Sequence, residues 1–168
     1  SAIIKFVPKK FTDEEYAKII PKKQVGTAVL LFNSKGELLI VKPDYKEGWL
    51  VPGGSTNDNE SPLRGALRET EEETGLAVTS LDLVGIYYAP KKEPFTDSLK
   101  FIFNGGTLTD TQISRIKPQD AEIEEYAFVF PEKAIPLLSP SLRRSVPECL
   151  RAITERTVVY LESSTWVQ

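Results

Sequence analysis

The stretch GGSTNDNESPLRGALRETEEETGL, Gly53 to Leu76, carries more structural instruction than any other part of the chain. Gly53-Gly54 opens a loop in which backbone can approach a ligand closely. Ser61 is a good N-cap and Pro62 suits the first helical position. Thr74-Gly75 is a natural stop. The spacing therefore predicts a helix over Ser61–Thr74. Leu63, Leu67, Thr70 and Thr74 fall at i, i+4, i+7 and i+11 with Ala66 beside them, a face able to pack on a sheet. The opposite face is expected to carry Arg68, Glu69, Glu72 and Glu73.

Glu69, Glu72 and Glu73 stand at i, i+3 and i+4, so their carboxylates are neighbours. A helix gains nothing from such crowding, because like charges at this spacing cost a few tenths of a kcal/mol. A divalent cation reverses the sign of the interaction. Mg²⁺ takes carboxylate, water and phosphate oxygens in octahedral geometry. The bland alternative is a solvated acidic face on a surface helix.

Working outward, Thr12–Ile20 reads as a short helix with capping-box spacing between Thr12 and Glu15. Val25–Phe32 and Glu37–Lys42 read as a hairpin about the turn Asn33–Gly36. Trp49–Val51 is a short extended piece. Leu81–Ala89 and Ser98–Phe103 read as strands joined by the loop Pro90–Asp97. Glu125–Phe130 is a further strand, with helix from Pro131 to Leu138 and over Ser141–Glu155. Thr157–Leu161 adds a short edge strand. Strands and helices mixed in this way predict the α/β class, a mixed β-sheet between helices in an α/β/α layering. Residues 1–168 read as one domain, without repeats or a dividing linker.

Composition narrows the chemistry. The chain has 168 residues, 40% hydrophobic and 27% charged, with a formal net charge of −3. That balance gives no pull towards nucleic acid or anionic membrane, so neither is an expected partner. There is no His, which removes a Ser–His triad and His-ligated zinc. Any metal must sit on oxygen ligands, which points to a hard cation such as Mg²⁺. The single Cys149 fits a reducing, cytoplasmic setting and reads as a half-buried helix residue. No run approaches the ~18 apolar residues of a membrane span. Ser1–Lys10 has lysines without a long apolar core, so a signal peptide is not expected there. The absence of Met suggests a processed start.

With these residues in view, the segment resembles the Nudix box of MutT-like hydrolases. Gly54, Glu60, Arg68, Glu69, Glu72, Glu73, Gly75 and Leu76 fill eight of its fixed positions over residues 54–76. Thr70 departs, standing where an aliphatic residue is usual. Trp49–Gly54 (WLVPGG) resembles the stretch that commonly precedes the box. The resemblance implies a Nudix-type α/β/α sandwich. It also implies Mg²⁺- or Mn²⁺-dependent hydrolysis of a diphosphate linkage in a nucleoside diphosphate derivative.

Carried over residue by residue, Glu69, Glu72 and Glu73 would be metal ligands and catalytic residues, and Gly54 would offer its carbonyl to the metal. Arg68 and Glu60 would be supports, Arg68 also lying at the substrate. A base or further ligand is expected in Asp120–Tyr126, with Glu122 first, Glu125 second and Glu124 also available. For substrate binding, Tyr88 and Lys92 are the candidates, with Tyr87, Lys91, Lys42, Tyr45 and Lys46 behind them. Each has a plainer reading as core or solvated surface. The substrate is expected to be a small-molecule nucleotide, and homodimers are frequent in the family.

Proline marks of ADP-ribose hydrolases and tyrosine marks of dinucleoside polyphosphate hydrolases both fail to match around Pro90–Pro94. The substrate therefore stays open between ADP-ribose or nucleotide-sugar type and triphosphate type. The competing class is a catalytically silent nucleotide-binding module, which usually shows damaged box glutamates. An RNA decapping enzyme would want a basic track, and an isomerase a catalytic cysteine near the box.

Overall fold

The structure, a computed structural model, describes residues 11–44, 47–119 and 122–163. Ser1–Lys10, Tyr45, Lys46 and Asp120 lie outside the described residues.

Six strands form one mixed sheet: β1 (Gln24–Phe32), β2 (Leu38–Pro43), β3 (Asp82–Ala89), β4 (Ser98–Thr107), β5 (Ile123–Val129) and β6 (Val159–Glu162), in the order β5-β2-β1-β4-β3-β6. β1 runs parallel to β4, and β3 parallel to β6. The β1/β2, β2/β5 and β3/β4 pairs are antiparallel. Among the described residues five α-helices accompany the sheet: α1 (Asp13–Ile19), α2 (Pro62–Thr74), α3 (Asp110–Ile113), α4 (Pro131–Ala134) and α5 (Pro140–Glu155).

Strand alternation divides the apolar residues into two cores. Val29, Leu31, Leu39 and Phe103 pack with Ala66 of α2 on one side of the sheet. Ala28, Leu30, Ile40 and Ile102 pack with Leu142, Val146 and Cys149 of α5 on the other. This is the expected sandwich.

α2 begins and ends where local chemistry says it should. The Ser61 hydroxyl accepts from Arg64 N at 3.3 Å. Gly75 takes a left-handed φ of 74°, and its N–H closes on Glu71 O at 2.7 Å. A Cβ on Gly75 would lie 2.5 Å from Lys117 O, so only glycine fits this stop. Thr70 is fully buried and donates its hydroxyl to Ala66 O at 2.7 Å, which is how a polar residue sits in an apolar place. The two faces of α2 differ from the sequence expectation in two places. Leu63 is 44% exposed, and Glu73, placed with the solvated carboxylates, is only 6% exposed.

Elsewhere the boundaries shift for identifiable reasons. β4 runs on through Asn104-Gly105-Gly106, which reads locally as a turn. Pairing with β1 overrides that signal, Leu31 facing Gly106 and Phe32 facing Thr107 across a bulge. α3 is a single turn set by a capping box between Thr109 and Gln112. The helical stretch after Pro131 breaks into α4 and a 3₁₀ turn, Ile135–Leu137. Among the described residues no helix is long and apolar enough to cross a membrane.

Cys149 is fully buried, and its Sγ lies 2.6 Å from where a Cβ on Gly85 would stand. Burial, with a contribution from Glu148, pushes its thiol up to about 12. Only the thiolate is nucleophilic. At about pH 8 the folded chain is therefore expected to leave Ellman's reagent unreacted, and to release one thiol per chain on denaturation. Prompt reaction in native buffer would contradict this packing.

Candidate active site

The site is made by a split in the sheet. β1 and β2 meet at Phe32 and Leu38 and then part. The segment before α2 fills the gap. Leu50 exchanges both backbone hydrogen bonds with Val41 of β2 at 2.8 Å. On the other side Val29 N donates to Pro52 O at 2.7 Å, Thr27 N to Gly54 O at 2.7 Å, and Thr56 N to Val25 O at 3.0 Å. The loop is thereby fixed as an irregular strand beside β1, and α2 starts a few residues beyond it.

Arg68 is the centre of the acidic face. Its Nε and Nη2 donate to the two oxygens of Glu60 at 3.0 and 2.9 Å. Its Nη1 donates to Glu69 at 2.7 Å and to Glu72 at 3.0 Å, and Nη2 also reaches Ser55 O at 3.0 Å. All five of its N–H groups are thus directed at carboxylates or backbone. The fork holds Glu60 down at about 2, chiefly through the Arg68 hydrogen bonds and then the Asn57 N–H. The same carboxylates raise the Arg68 guanidinium further. Glu69 is moved the other way: burial raises it, against the pull of Arg68.

The Glu69 carboxylate packs on Gly54, where a Cβ would stand 2.5 Å from its Cδ. Glu73 is turned under the loop, and its Oε2 accepts the Gly53 N–H at 2.7 Å. The four glutamates at fixed positions of the box therefore do three jobs. Glu60 anchors Arg68, Glu69 and Glu72 converge on its Nη1, and Glu73 ties α2 to the loop.

Among the described residues no three acidic or thiol side chains stand together as a group that would hold an ion by themselves. Glu69 and Glu72 form a pair at Arg68, while Glu73 Oε2 bonds the Gly53 N–H of the loop. The donor chemistry still suits a hard cation. Mg²⁺ is ordinarily held by one or two carboxylates plus water and phosphate oxygens. Glu69 and Glu72 already converge on one positive nitrogen. The Gly54 carbonyl, expected as a ligand, is turned into the sheet, where it accepts both the N–H and, at 3.2 Å, the hydroxyl of Thr27.

Arg68, placed at the substrate, has its donors committed to Glu60, Glu69, Glu72 and Ser55. It holds those carboxylates in orientation. The Tyr88 hydroxyl donates to Asp97 at 3.1 Å, and Lys23, ion-paired with Asp97, lies 5.6 Å from its ring centre. Lys92 is exposed in a small turn, bridged to Phe95. Neither borders the cleft described next. Tyr87 is buried core. Glu122 is exposed immediately before β5, and its carbonyl accepts Asp44 N at 2.8 Å. Gln119 N donates to Glu72 O at 2.8 Å, so the chain at Gln119 docks on the last turn of α2.

A cleft of about 320 Å³ adjoins the Gly53–Ser55 loop on the sheet face that carries α5. Its floor is Gln24, Gly26 and Ala28 of β1 with Ser98 and Lys100 of β4, and Leu142 of α5 closes one side. Lys100 was not singled out by sequence. The available signal was a lone charge inside the apolar strand SLKFIF.

A family model described as NUDIX domain matches residues 22–149. The chain belongs to the Nudix family. Within the family it is 49% identical over 39 residues to a nucleoside triphosphate pyrophosphatase/Nudix hydrolase fusion protein of Bifidobacterium longum, covering 23% of this chain and 8% of that protein. It is 29% identical over 127 residues to Phosphatase NudJ of Shigella boydii, covering 71% of this chain and 79% of the relative. Among solved Nudix structures, a MutT protein from Methanosarcina mazei Go1 superposes with a TM-score of 0.64 at 26% identity, over 80% of this chain and 95% of that one. The chain thus spans under a tenth of the first of these relatives and most of the other two.

Proposed function

We propose that the chain is a divalent-metal-dependent Nudix pyrophosphohydrolase that cuts a diphosphate linkage in a small nucleoside diphosphate derivative. The observation that carries this reading is the Arg68 fork, which gathers Glu60, Glu69 and Glu72 beside a fixed Gly53–Gly54 loop.

In this reading Glu69 and Glu72, with Glu73 behind them, hold Mg²⁺ or Mn²⁺. Bound there, such a cation neutralises phosphoryl oxygens and lowers the pKa of its water. Arg68 fixes Glu69 and Glu72 in orientation and offsets their mutual repulsion. Glu122 is the general base: it takes a proton from the attacking water as a new P–O bond forms and the bridging P–O bond breaks. The Gly53–Gly54 loop packs tightly on β1 and on the Glu69 carboxylate, leaving no room for a side chain at either position. The lone buried thiol suits a cytoplasmic setting.

The test is a panel of ADP-ribose, nucleotide sugars, dinucleoside polyphosphates, and normal and oxidised nucleoside triphosphates. Each is incubated with Mg²⁺ or Mn²⁺ and again with EDTA, and products are read by chromatography. Turnover of at least one compound, abolished by EDTA, is the expected result. Tight binding without turnover under every condition would instead establish a silent nucleotide-binding module.

A further inference from the structure

The floor of the cleft contains a glycine that the fold does not ask for. Gly26 lies outside the left-handed region, and a Cβ there would meet nothing closer than Gly54 O, at an ordinary 3.7 Å. Other glycines nearby are under real compulsion; a Cβ on Gly53 would come within 2.3 Å of Thr27 O. A side chain at position 26 is therefore sterically affordable, in the middle of a strand where glycine weakens pairing. What its absence leaves is bare floor inside a cavity.

That bare floor lies in a row. Gly26 pairs with Lys100 on β4 and with Ser55 on the other side, so the three residues line one face of the sheet in sequence. Neighbouring strands are about 4.8 Å apart, which puts Lys100 and Ser55 roughly 10 Å apart at their Cα atoms. A lysine side chain can span much of that gap. Its Nζ donates to the Ser141 hydroxyl at 3.1 Å, which holds the ammonium at the first turn of α5, next to the cleft residue Leu142.

The rest of the lining sets the chemistry. Among the described residues Lys100 is the only formally charged side chain in the cleft, and there is no aromatic ring to stack on a base. Gln24, Ser55 and Ser98 add neutral polar groups, with the Gln24 amide donating to Ser55 at 3.1 Å. The cleft therefore suits an anionic, hydrogen-bonding group better than a planar base.

We infer that the cleft over Gly26 is a subsite for an anionic group of the substrate, a phosphate or a carboxylate, and that Lys100 is the residue that reads its charge. This rests on the proposed hydrolase reading only for the word substrate. Anion binding by the cleft stands apart from turnover. The preferred compounds are diphosphates that carry a further negative group beyond the linkage being cut, over those ending in a neutral sugar.

The experiment is calorimetric titration of the metal-free chain with inorganic pyrophosphate, for wild type, Lys100→Met, Lys100→Arg and Gly26→Val. A charge-assisted contact predicts binding about 10- to 100-fold weaker in Lys100→Met, and largely restored in Lys100→Arg. Gly26→Val, which fills the floor without touching the charge, is expected to weaken binding to a similar degree. Circular dichroism confirms that each variant is folded. Where turnover is found, Lys100→Met should raise KM for a nucleoside triphosphate more than for a neutral nucleotide sugar, with kcat little changed. Equal pyrophosphate binding by wild type and Lys100→Met, or none by wild type, would overturn the inference. A chain that binds pyrophosphate through Lys100 yet hydrolyses nothing would sink the hydrolase reading and leave the subsite standing.

Discussion

Glu72→Gln is expected to lower metal-dependent turnover about 10³-fold while leaving the fold intact, the scale set by losing several kcal/mol of metal-assisted stabilisation of the transition state. The two effects separate because of where Glu72 sits. Its side chain is 46% exposed and forms an ion pair with Arg68, a contact of the kind that adds little to stability. Arg68 keeps Glu60, Glu69 and Ser55 when Glu72 is neutralised. The amide keeps the shape and loses the charge that a cation requires. A thermal melt within about 2 °C of wild type, beside the collapsed rate, is the expected pattern. A variant that keeps more than about a tenth of wild-type turnover would remove Glu72 from the metal site.

Gly53→Ala is expected to have the largest effect on stability. Gly53 has a φ of 146°, where L residues are strained, and an added Cβ would stand 2.3 Å from Thr27 O and 2.8 Å from Ala28 Cα. Both obstacles are backbone of the central strand β1, which cannot rotate away as a side chain would. Strain and overpacking together are expected to cost about 3 kcal/mol, or a fall in melting temperature of about 10 °C. Activity should fall as well, because the Gly53 N–H that donates to Glu73 moves with the loop. A melting temperature unchanged within about 2 °C would show that the loop is not wedged against β1 as described.

These two positions also show how far the sequence could be read. The helix α2 was legible end to end because its signals are local: Ser61, Pro62 and Gly75 act within a turn of themselves. The turn between β1 and β2 was legible for the same reason, but not that the strands part beyond Phe32 and Leu38 to admit a loop from elsewhere in the chain. The direction taken by Glu73 was not. Spacing places it beside Glu69 and Glu72, but its burial depends on a loop 20 residues earlier being held in a split of the sheet. Arg68 was legible as a holder of carboxylates and not as a residue with every donor engaged, since one of its partners is the Ser55 carbonyl.

The cleft was least legible of all. Gly26 and Lys100 are 74 positions apart in sequence and become neighbours only through the parallel pairing of β1 with β4. Tyr88 and Lys92 were chosen for chemical type near a strand end. The structure gives Tyr88 to Asp97 and leaves Lys92 at the surface. Residue type with helical spacing carries position well, and residue type without it carries little.

The most direct measurement is a Mn²⁺ titration followed by the electron paramagnetic resonance signal of the free ion, for wild type and the Glu69→Gln/Glu72→Gln double variant. The account predicts that wild type removes Mn²⁺ from solution at a saturable site and that the double variant does not. Equal uptake by the two proteins, or none by wild type, would contradict it.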